Sequence, residues 1–202
     1  MSGEYIPLSR EFYDGPAEKV ARELLGAYLV SDVGGGRCVG RIVETEAYPG
    51  PHDPASHAAR SIGRTARNDP MFGPAGTAYV HLNFGIHWCL NAVVGAEGYP
   101  AAVLIRAAEP VSGLEVMRER RTGRNDRELM SGPGRLTQAL GIGPNLQRHR
   151  LSDAPLVICW GERLPDDRIV RTTRIGISRG ADREWRYCDV TSPWLSRAVR
   201  PK

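Results

Sequence analysis

The 202-residue sequence predicts an α+β fold, a single domain with a curved, mainly antiparallel β-sheet surrounded by short helices. Strand candidates follow one another along the chain, and helix candidates are grouped around them, a pattern typical of this class. The chain is long enough to bury a core, and it has no internal repeat. We therefore expect residues 1–202 to form one domain.

Three elements are predicted in the first third. The segment PAEKVARELLG (16–26) opens with proline, places apolar residues on one side and stops at glycine, which indicates a helix. Strands AYLVSD (27–32) and RCVGRIVETEA (37–47) follow around a glycine-rich turn. Asp53 is expected to cap a short helix over PASHAAR (54–60), because an aspartate side chain accepts the free amides of a first turn.

The remaining elements include two helices. Ser112 and Glu115 fit a capping box for a helix through LEVMRERR (114–121), and GRLTQALG (134–141) predicts a second one. The strand candidates, separated by turns, are TAYVHLN (77–83), IHWCLNAVV (86–94), AAVLIRAAE (101–109), PLVICW (155–160), RIVRTTRIGIS (168–178) and WRYCDV (185–190).

Composition excludes several classes of protein. No apolar run approaches the ~20 residues that cross a bilayer, so we expect no membrane association. Residues 1–8 lack the basic start and apolar stretch of a secretion signal, and a cytoplasmic (nucleoid-associated) or nuclear location is expected. Cys38, Cys89, Cys159 and Cys188 are too scattered for a metal knuckle, and the three in apolar strand-like runs, Cys89, Cys159 and Cys188, are interpreted as buried thiols.

Charge gives a weak indication of a polyanionic partner. The net charge is +4, and all basic residues except Lys19 and Lys202 are arginines. Arginine's planar fork suits phosphate recognition, although a genome rich in arginine codons gives the same composition. The chain has no glycine-rich nucleotide motif, so no cofactor is expected.

Two glutamates end the second predicted strand. Alternation places Glu44 and Glu46 on one face, roughly 6–7 Å apart at ~3.3 Å rise per residue. A solvated face is the preferred interpretation for Glu44. Glu46 is different, because it stands two residues before Tyr48 at a turn, where a strand passes into a loop and catalytic groups concentrate.

Arg106 interrupts an otherwise apolar strand, so a carboxylate should meet it. A pair with Glu46 would keep that carboxylate ionised as a general base, although a purely structural ion pair is also possible. Asn91 lies between apolar residues and needs hydrogen-bond partners, either a ligand or the backbone. Tyr48, His57 and His81 could line a slot for a flat heterocycle.

Ordered motifs run through the chain: E-T-E-A-Y-x-G-P (44–51), His57, R-T-x-R-N (64–68), M-F-x-x-x-G-T-x-Y-V (71–80), Asn91, L-I-R-A-x-E-P (104–110) and S-P-W (192–194). Together they closely resemble the alkyladenine (3-methyladenine) DNA glycosylase family of mixed α/β fold. The resemblance spans residues 7–196. It implies a metal-free, monomeric enzyme that rotates a damaged purine out of duplex DNA and hydrolyses its N-glycosidic bond.

The resemblance also implies residue roles. Glu46 would activate water for attack at the sugar C1′, and Arg106 would hold that water and carboxylate. The damaged base would lie among pocket residues, with Asn91 rejecting guanine by its exocyclic amino group. The pocket set is Tyr48, His57, His81, Asn91 and Ile86. The expected phosphate contacts are Arg60, Arg64, Thr65 and Arg67.

Two positions depart from the family pattern. Vertebrate members have tyrosine where this chain has His81, and a charged imidazole there would repel cationic bases. They also have a tyrosine wedge where this chain has Phe84, and an apolar wedge suits insertion into the vacated stack. Because neither Lys19 nor Lys202 is a plausible Schiff-base amine, we predict an enzyme that leaves an intact abasic site.

Three alternatives remain open. ALGIGPN (139–145) is similar to the hairpin of helix–hairpin–helix glycosylases, but lacks their aspartate context and cysteine cluster. Glu44 and Glu46 could be a sugar glycosidase pair, for which ~5–5.5 Å indicates a retaining mechanism, but no second distant acid is present. The protein could also bind nucleic acid with a degenerate pocket, although the presence of both Glu46 and Arg106 argues against this.

Overall fold

One eight-stranded sheet runs through residues 5–199, the part of the chain that the computed structural model describes. Its strands are β1 (Tyr28–Ser31), β2 (Cys38–Tyr48), β3 (Ala78–Asn83), β4 (His87–Val94), β5 (Ala101–Ser112), β6 (Leu156–Cys159), β7 (Ile169–Thr172) and β8 (Arg186–Asp189). The order across the sheet is β3-β4-β5-β2-β1-β6, with β8 beside β2 and β7. All strand pairings within this range are antiparallel, which confirms the predicted α+β class.

Strand β2 is the centre of this arrangement. One edge pairs with β5, while the other pairs first with β1 and then, from Glu44 to Glu46, with β8. The register with β5 shifts on either side of Glu44, and such irregularities bend a strand and increase its twist. Both glutamates consequently lie between β5, which carries Arg106, and β8, which carries Arg186.

Within residues 5–199, four short helices border the sheet: α1 (Arg10–Tyr13), α2 (Ala17–Glu23), α3 (Leu114–Arg120) and α4 (Pro133–Leu140). Single 3₁₀ turns occur at Asp69–Phe72, Asp126–Glu128, Pro144–Leu146 and Asp166–Arg168. Val20 and Leu24 of the α2 segment and Leu136 and Leu140 of α4 are fully buried in the main apolar cluster. Each such side chain contributes about 1.5–3 kcal/mol by leaving water. Cys89, Cys159 and Cys188 are buried as predicted, and Cys38, for which no burial was predicted, is buried as well.

Helix α2 is shorter than its pattern predicts. It ends at Glu23, and Gly26 adopts φ +89° three residues later. An added Cβ at Gly26 would lie 2.1 Å from the carbonyl oxygen of Glu162, so this close backbone approach requires glycine.

Three other predictions of local structure are wrong. PASHAAR forms turns instead of a helix, because Asp53 directs its carboxylate to a distant arginine as well as to the amide of Ala55. The capping box is absent, since Ser112 is the last residue of β5 and Gly113 caps α3 without a side-chain bond. Strand β7 ends at Thr172, so residues 173–178 leave the sheet.

Candidate active site

The Glu46 carboxylate is held by three donors. Oε1 accepts the Ile175 amide at 2.8 Å and lies 3.3 Å from Nη1 of Arg106, while Oε2 accepts the Tyr48 hydroxyl at 3.0 Å. Glu46 itself is 0% exposed. Burial raises its pKa above the ordinary glutamate value, and Arg106, the Ile175 amide and Tyr48 oppose this effect. A carboxylate with a raised pKa is a stronger base than a solvated one.

Glu44 is the main correction to the sequence interpretation. Its carboxylate is fully buried rather than solvated, and it accepts from Nε of Arg106 at 3.0 Å and from Nε of Arg186 at 2.7 Å. Ser196 adds its amide at 2.6 Å and its hydroxyl at 2.7 Å. With these four donors engaged, Glu44 has no free oxygen to serve as the acid of a sugar glycosidase.

Arg106 therefore bridges the two glutamates. The guanidinium contacts Glu44 through Nε and Glu46 through Nη1, and its side chain is 8% exposed. Because Glu44 also binds Arg186 and Ser196, it holds the guanidinium in one orientation toward Glu46. The predicted contact between Arg106 and Glu46 is present, whereas the part played by Glu44 was not anticipated.

The Tyr48 ring packs against a second buried ion pair, formed by Arg174 and Asp53. The guanidinium of Arg174 lies 4.6 Å from the centroid of the Tyr48 ring and 4.9 Å from that of Trp185. Arg174 forms two bonds to the Asp53 carboxylate, at 2.5 and 2.8 Å, and a third to the carbonyl of Ala47. Both charged side chains are 0% exposed. This pair anchors the residue that precedes Ile175, whose amide binds Glu46.

Histidine and tyrosine rings form one wall of the site. His57 Nδ1 lies 2.8 Å from the Tyr79 hydroxyl, and His81 stacks on Tyr79 with centroids 5.0 Å apart. His57 meets His81 edge to face at 4.5 Å. Burial, followed by the charges of His57 and Arg67, lowers the pKa of His81 to about 3, so this imidazole is neutral at physiological pH. The charged form of His81 considered from the sequence is therefore not the form present at that pH.

Asn91 is fixed between two acceptors. Its Nδ2 donates to the carbonyl of Tyr79 at 3.0 Å and lies 3.2 Å from Nδ1 of His81. The amide is 4% exposed and lies on β4 opposite Leu104 of β5. Since both contacts use the same nitrogen, the side chain cannot rotate without losing them.

These groups surround a cavity of about 330 Å³, within the range of small-molecule sites. The wall includes the predicted residues Tyr48, His57, His81, Asn91, Arg106 and Phe84. Glu46 lies directly behind it, in contact with three of the lining residues. The structure thus brings together one carboxylate, one guanidinium and a set of flat rings.

Phe84 and Ile86 occupy the turn between β3 and β4. Phe84 is 80% exposed and adopts φ +50°, a left-handed conformation that is unfavourable for a bulky residue. Ile86 is 72% exposed and does not line the cavity, so its assignment to the base pocket is wrong. The turn directs it into solvent instead.

The loop with the expected phosphate contacts is exposed at Arg60, Arg64, Thr65 and Arg67. Asn68 anchors it by donating to the carbonyls of His57 and Gly63. Arg67 Nη2 donates to the Leu82 carbonyl at 2.9 Å, which joins the loop to the end of β3. Arg64 is already paired with Asp69 at 2.6 Å and is less available to a phosphate.

Several site residues were missed by the sequence interpretation. Tyr79 stands in the quoted M-F-x-x-x-G-T-x-Y-V motif but received no role. Arg174 and Ile175 were hidden in a strand-like alternation, and Asp53 was interpreted as a helix cap. Arg179 also lines the cavity, and no local pattern marks it.

Three further observations concern metal binding, membrane spans and the two lysines. Within residues 5–199, no group of three or more histidine, cysteine, aspartate or glutamate side chains could hold a metal ion. No helix in that range is long and apolar enough for a membrane span. Lys19 is exposed on α2, and Lys202 lies outside the described residues.

Comparison with known proteins identifies the family of this chain. The methylpurine-DNA glycosylase (MPG) family matches residues 11–193. A protein of Carboxydothermus hydrogenoformans is 46% identical over 191 residues, 94% of this chain and 98% of the relative. One of Methanoculleus marisnigri is 46% identical over 197 residues, 95% and 100% of the two chains. One of Salinibacter ruber is 42% identical over 201 residues, 95% and 97% of the two chains.

All three relatives carry the name "Putative 3-methyladenine DNA glycosylase". The family match covers most of the chain and includes every residue of the cavity wall. The chain therefore belongs to the methylpurine-DNA glycosylase family, hydrolases that act on N-glycosyl bonds in DNA repair.

Proposed function

We propose that the chain is a monofunctional glycosylase, active as one monomeric domain, that excises alkylated and deaminated purines from duplex DNA. The lesion class is 3-methyladenine, 7-methylguanine, hypoxanthine and ethenoadenine. The observation that carries the proposal is the Glu46 carboxylate, held by Arg106, Tyr48 and the Ile175 amide directly behind the cavity. The proposed location of the enzyme is the compartment that contains DNA, either the cytoplasm with its nucleoid or the nucleus.

In this mechanism Glu46 is the general base. Arg106 lines the cavity and its Nη1 lies 3.3 Å from Oε1 of Glu46, so a water bound on that wall would lie beside both groups. The water oxygen bonds to the sugar C1′ and its proton passes to Glu46. The N-glycosidic bond breaks, and its electron pair leaves with the purine. Contacts of this kind commonly tighten once substrate is bound.

The cavity wall supports recognition of a flat base. Tyr48, His57 and His81 supply rings, and the neutral His81 accepts a cationic alkylpurine without charge repulsion. Asn91, held by two acceptors, is a fixed obstacle to the exocyclic amino group of guanine. Lesions that pair badly are also the easiest to unstack, which adds selectivity before the pocket is reached.

Phe84 suits the role of wedge. An exposed aromatic ring on a strained turn beside the cavity can enter the duplex and fill the space that the base leaves. Arg60, Arg64, Thr65 and Arg67 are proposed to contact phosphates near this turn, with Arg64 contributing least because of its Asp69 partner.

Duplexes with a single defined lesion test the proposal. We expect release of free base from DNA containing hypoxanthine, ethenoadenine or 7-methylguanine, in the presence of a chelator, and none from the undamaged duplex. Strand breaks should appear only after alkali, because the described chain offers Lys19 as its one lysine and places it on α2. No release from any lesion, or breaks without alkali, would contradict the proposal.

The rate of base release should fall at acidic pH. Glu46 must be ionised to take a proton, and burial raises its pKa, so the acid-side midpoint should lie above the usual glutamate value of 4.5. Single-turnover rates between pH 4 and 8 measure this midpoint. His81→Tyr should leave it in place, since His81 is already neutral throughout that range. A flat profile would show that Glu46 is not the titrating group.

A further inference from the structure

Three arginines cluster between α3 and α4. Arg121 closes α3, and its carbonyl accepts the amide of Arg124 in the turn that follows. Arg121 Nη1 donates to the side chain of Gln138 on α4 at 2.6 Å. Arg135 lies one turn before Gln138, so it shares that face of the helix. Burial lowers the pKa of Arg121, the charges of Arg135 and Arg124 add to this effect, and the charge of Glu128 opposes it.

This cluster carries more positive than negative charge. Among the described residues, Glu128 is the one carboxylate within ion-pair distance of it, 3.9 Å from Nη2 of Arg135. Arg121 is 8% exposed, its Nε has no hydrogen-bond partner, and no carboxylate of residues 5–199 lies within ion-pair distance of it. By contrast, each of the other buried arginines in the described part of the chain contacts a carboxylate: Arg106, Arg174 and Arg186. Burying an unpaired cation is unfavourable unless an anion arrives.

The cluster is close to the cavity and the Phe84 turn. Pro133, the first residue of α4, lines the cavity. An added Cβ at the next residue, Gly134, would lie 2.8 Å from the Cβ of His87. Thr137 also donates to the carbonyl of Trp88 at 2.8 Å. Helix α4 therefore begins against β4 as that strand leaves the turn, whereas the loop with Arg67 contacts β3 on the turn's other side.

We propose that Arg121, Arg124 and Arg135 form a second phosphate-binding site for duplex DNA, on the α4 side of the Phe84 turn and opposite loop 60–67. The site rests on the proposed function, since a wedge entering the duplex meets backbone on both sides. A phosphodiester supplies further negative charge to three guanidiniums that face a single carboxylate, and two guanidinium forks can bind its oxygens directly. Arg121 adds its positive charge from a buried position beside them.

The double variant Arg124→Gln/Arg135→Gln tests this site, because both side chains are exposed and fold stability is not at risk. Its affinity for a duplex carrying an uncleavable abasic analogue is measured from 50 to 200 mM salt. Each phosphate contact contributes about 0.9 to the slope of log K against log salt, so we expect the slope to fall by roughly 1–2. Affinity at low salt should fall about tenfold or more.

A matched control removes the same charge elsewhere. Arg10→Gln/Arg163→Gln alters two exposed arginines that line separate surface grooves. The control should keep the parental slope, and both variants should keep the parental Tm. An unchanged slope in Arg124→Gln/Arg135→Gln, or an equal fall in the control, overturns the phosphate site.

Measuring base release by the parental protein distinguishes a failure of the phosphate site from a failure of the proposed function. A parental protein that binds the duplex but releases no base would remove the glycosylase mechanism, while the slopes still decide the phosphate site. A parental protein that releases base, together with an unchanged slope in the double variant, would remove only the phosphate site. With enzyme in saturating excess, the variant should release base at the parental rate, because neither arginine touches Glu46.

Discussion

Glu46→Gln should bind lesion-containing duplex as the parental protein does and lose base release by about 10²–10⁴-fold or more. Glutamine keeps the volume of the side chain. Its amide oxygen can accept from the Ile175 amide and face Arg106, and its amino group can meet the Tyr48 oxygen. The variant cannot take a proton from water, so the loss should fall on the single-turnover rate and spare the Kd.

Tyr48→Phe is the matched control for that variant. It removes one donor to the carboxylate but keeps the base, so release should persist at a reduced rate. The Tyr48 bond lowers the pKa of Glu46, and its loss should move the acid-side midpoint of the rate to higher pH. Parental release by Glu46→Gln would exclude Glu46 as the base.

Asp53→Asn should destabilise the fold by about 3–5 kcal/mol, the usual effect of removing one partner from a buried ion pair. It leaves the Arg174 charge unpaired between two aromatic rings, where both original side chains are 0% exposed. For a chain of this length the loss corresponds to a fall in Tm of roughly 10 °C. Thermal and denaturant unfolding, compared with the parental protein, measure it.

Removing both charges should recover most of the stability. In Asp53→Asn/Arg174→Met an apolar side chain replaces the guanidinium between Tyr48 and Trp185, so no unpaired cation remains buried. Asp166→Asn, at an exposed pair with Arg22, should leave Tm unchanged. A double variant as unstable as Asp53→Asn would show that packing, not charge, accounts for the loss.

The Arg174 pair also bears on catalysis, because residue 174 sets the backbone of Ile175. The recovered double variant should therefore release base more slowly than the parental protein despite its stability. A parental rate would mean that the Ile175 amide keeps its position without this anchor.

Local patterns were sufficient for much of the molecule. Alternation and apolar runs indicated the strands that carry Glu46, Arg106 and Asn91, because those residues are conspicuous against an apolar background. The same patterns misled at Asp53 and Glu44, whose side chains bind partners more than 100 positions away. PASHAAR has helical composition, yet Asp53 pairs with a residue 121 positions away.

Glu44 shows most clearly what local sequence patterns predict and what depends on the tertiary structure. Its strand and its closeness to Glu46 could be predicted from the order of residues, as could the need of Arg106 for a carboxylate. Its burial could not, because it depends on Arg186 and Ser196, which stand 142 and 152 positions further along and meet it only when β8 and the following segment pack beside β2. Periodicity reports the neighbours of a residue along one element, whereas ion pairing depends on which elements the completed sheet brings together.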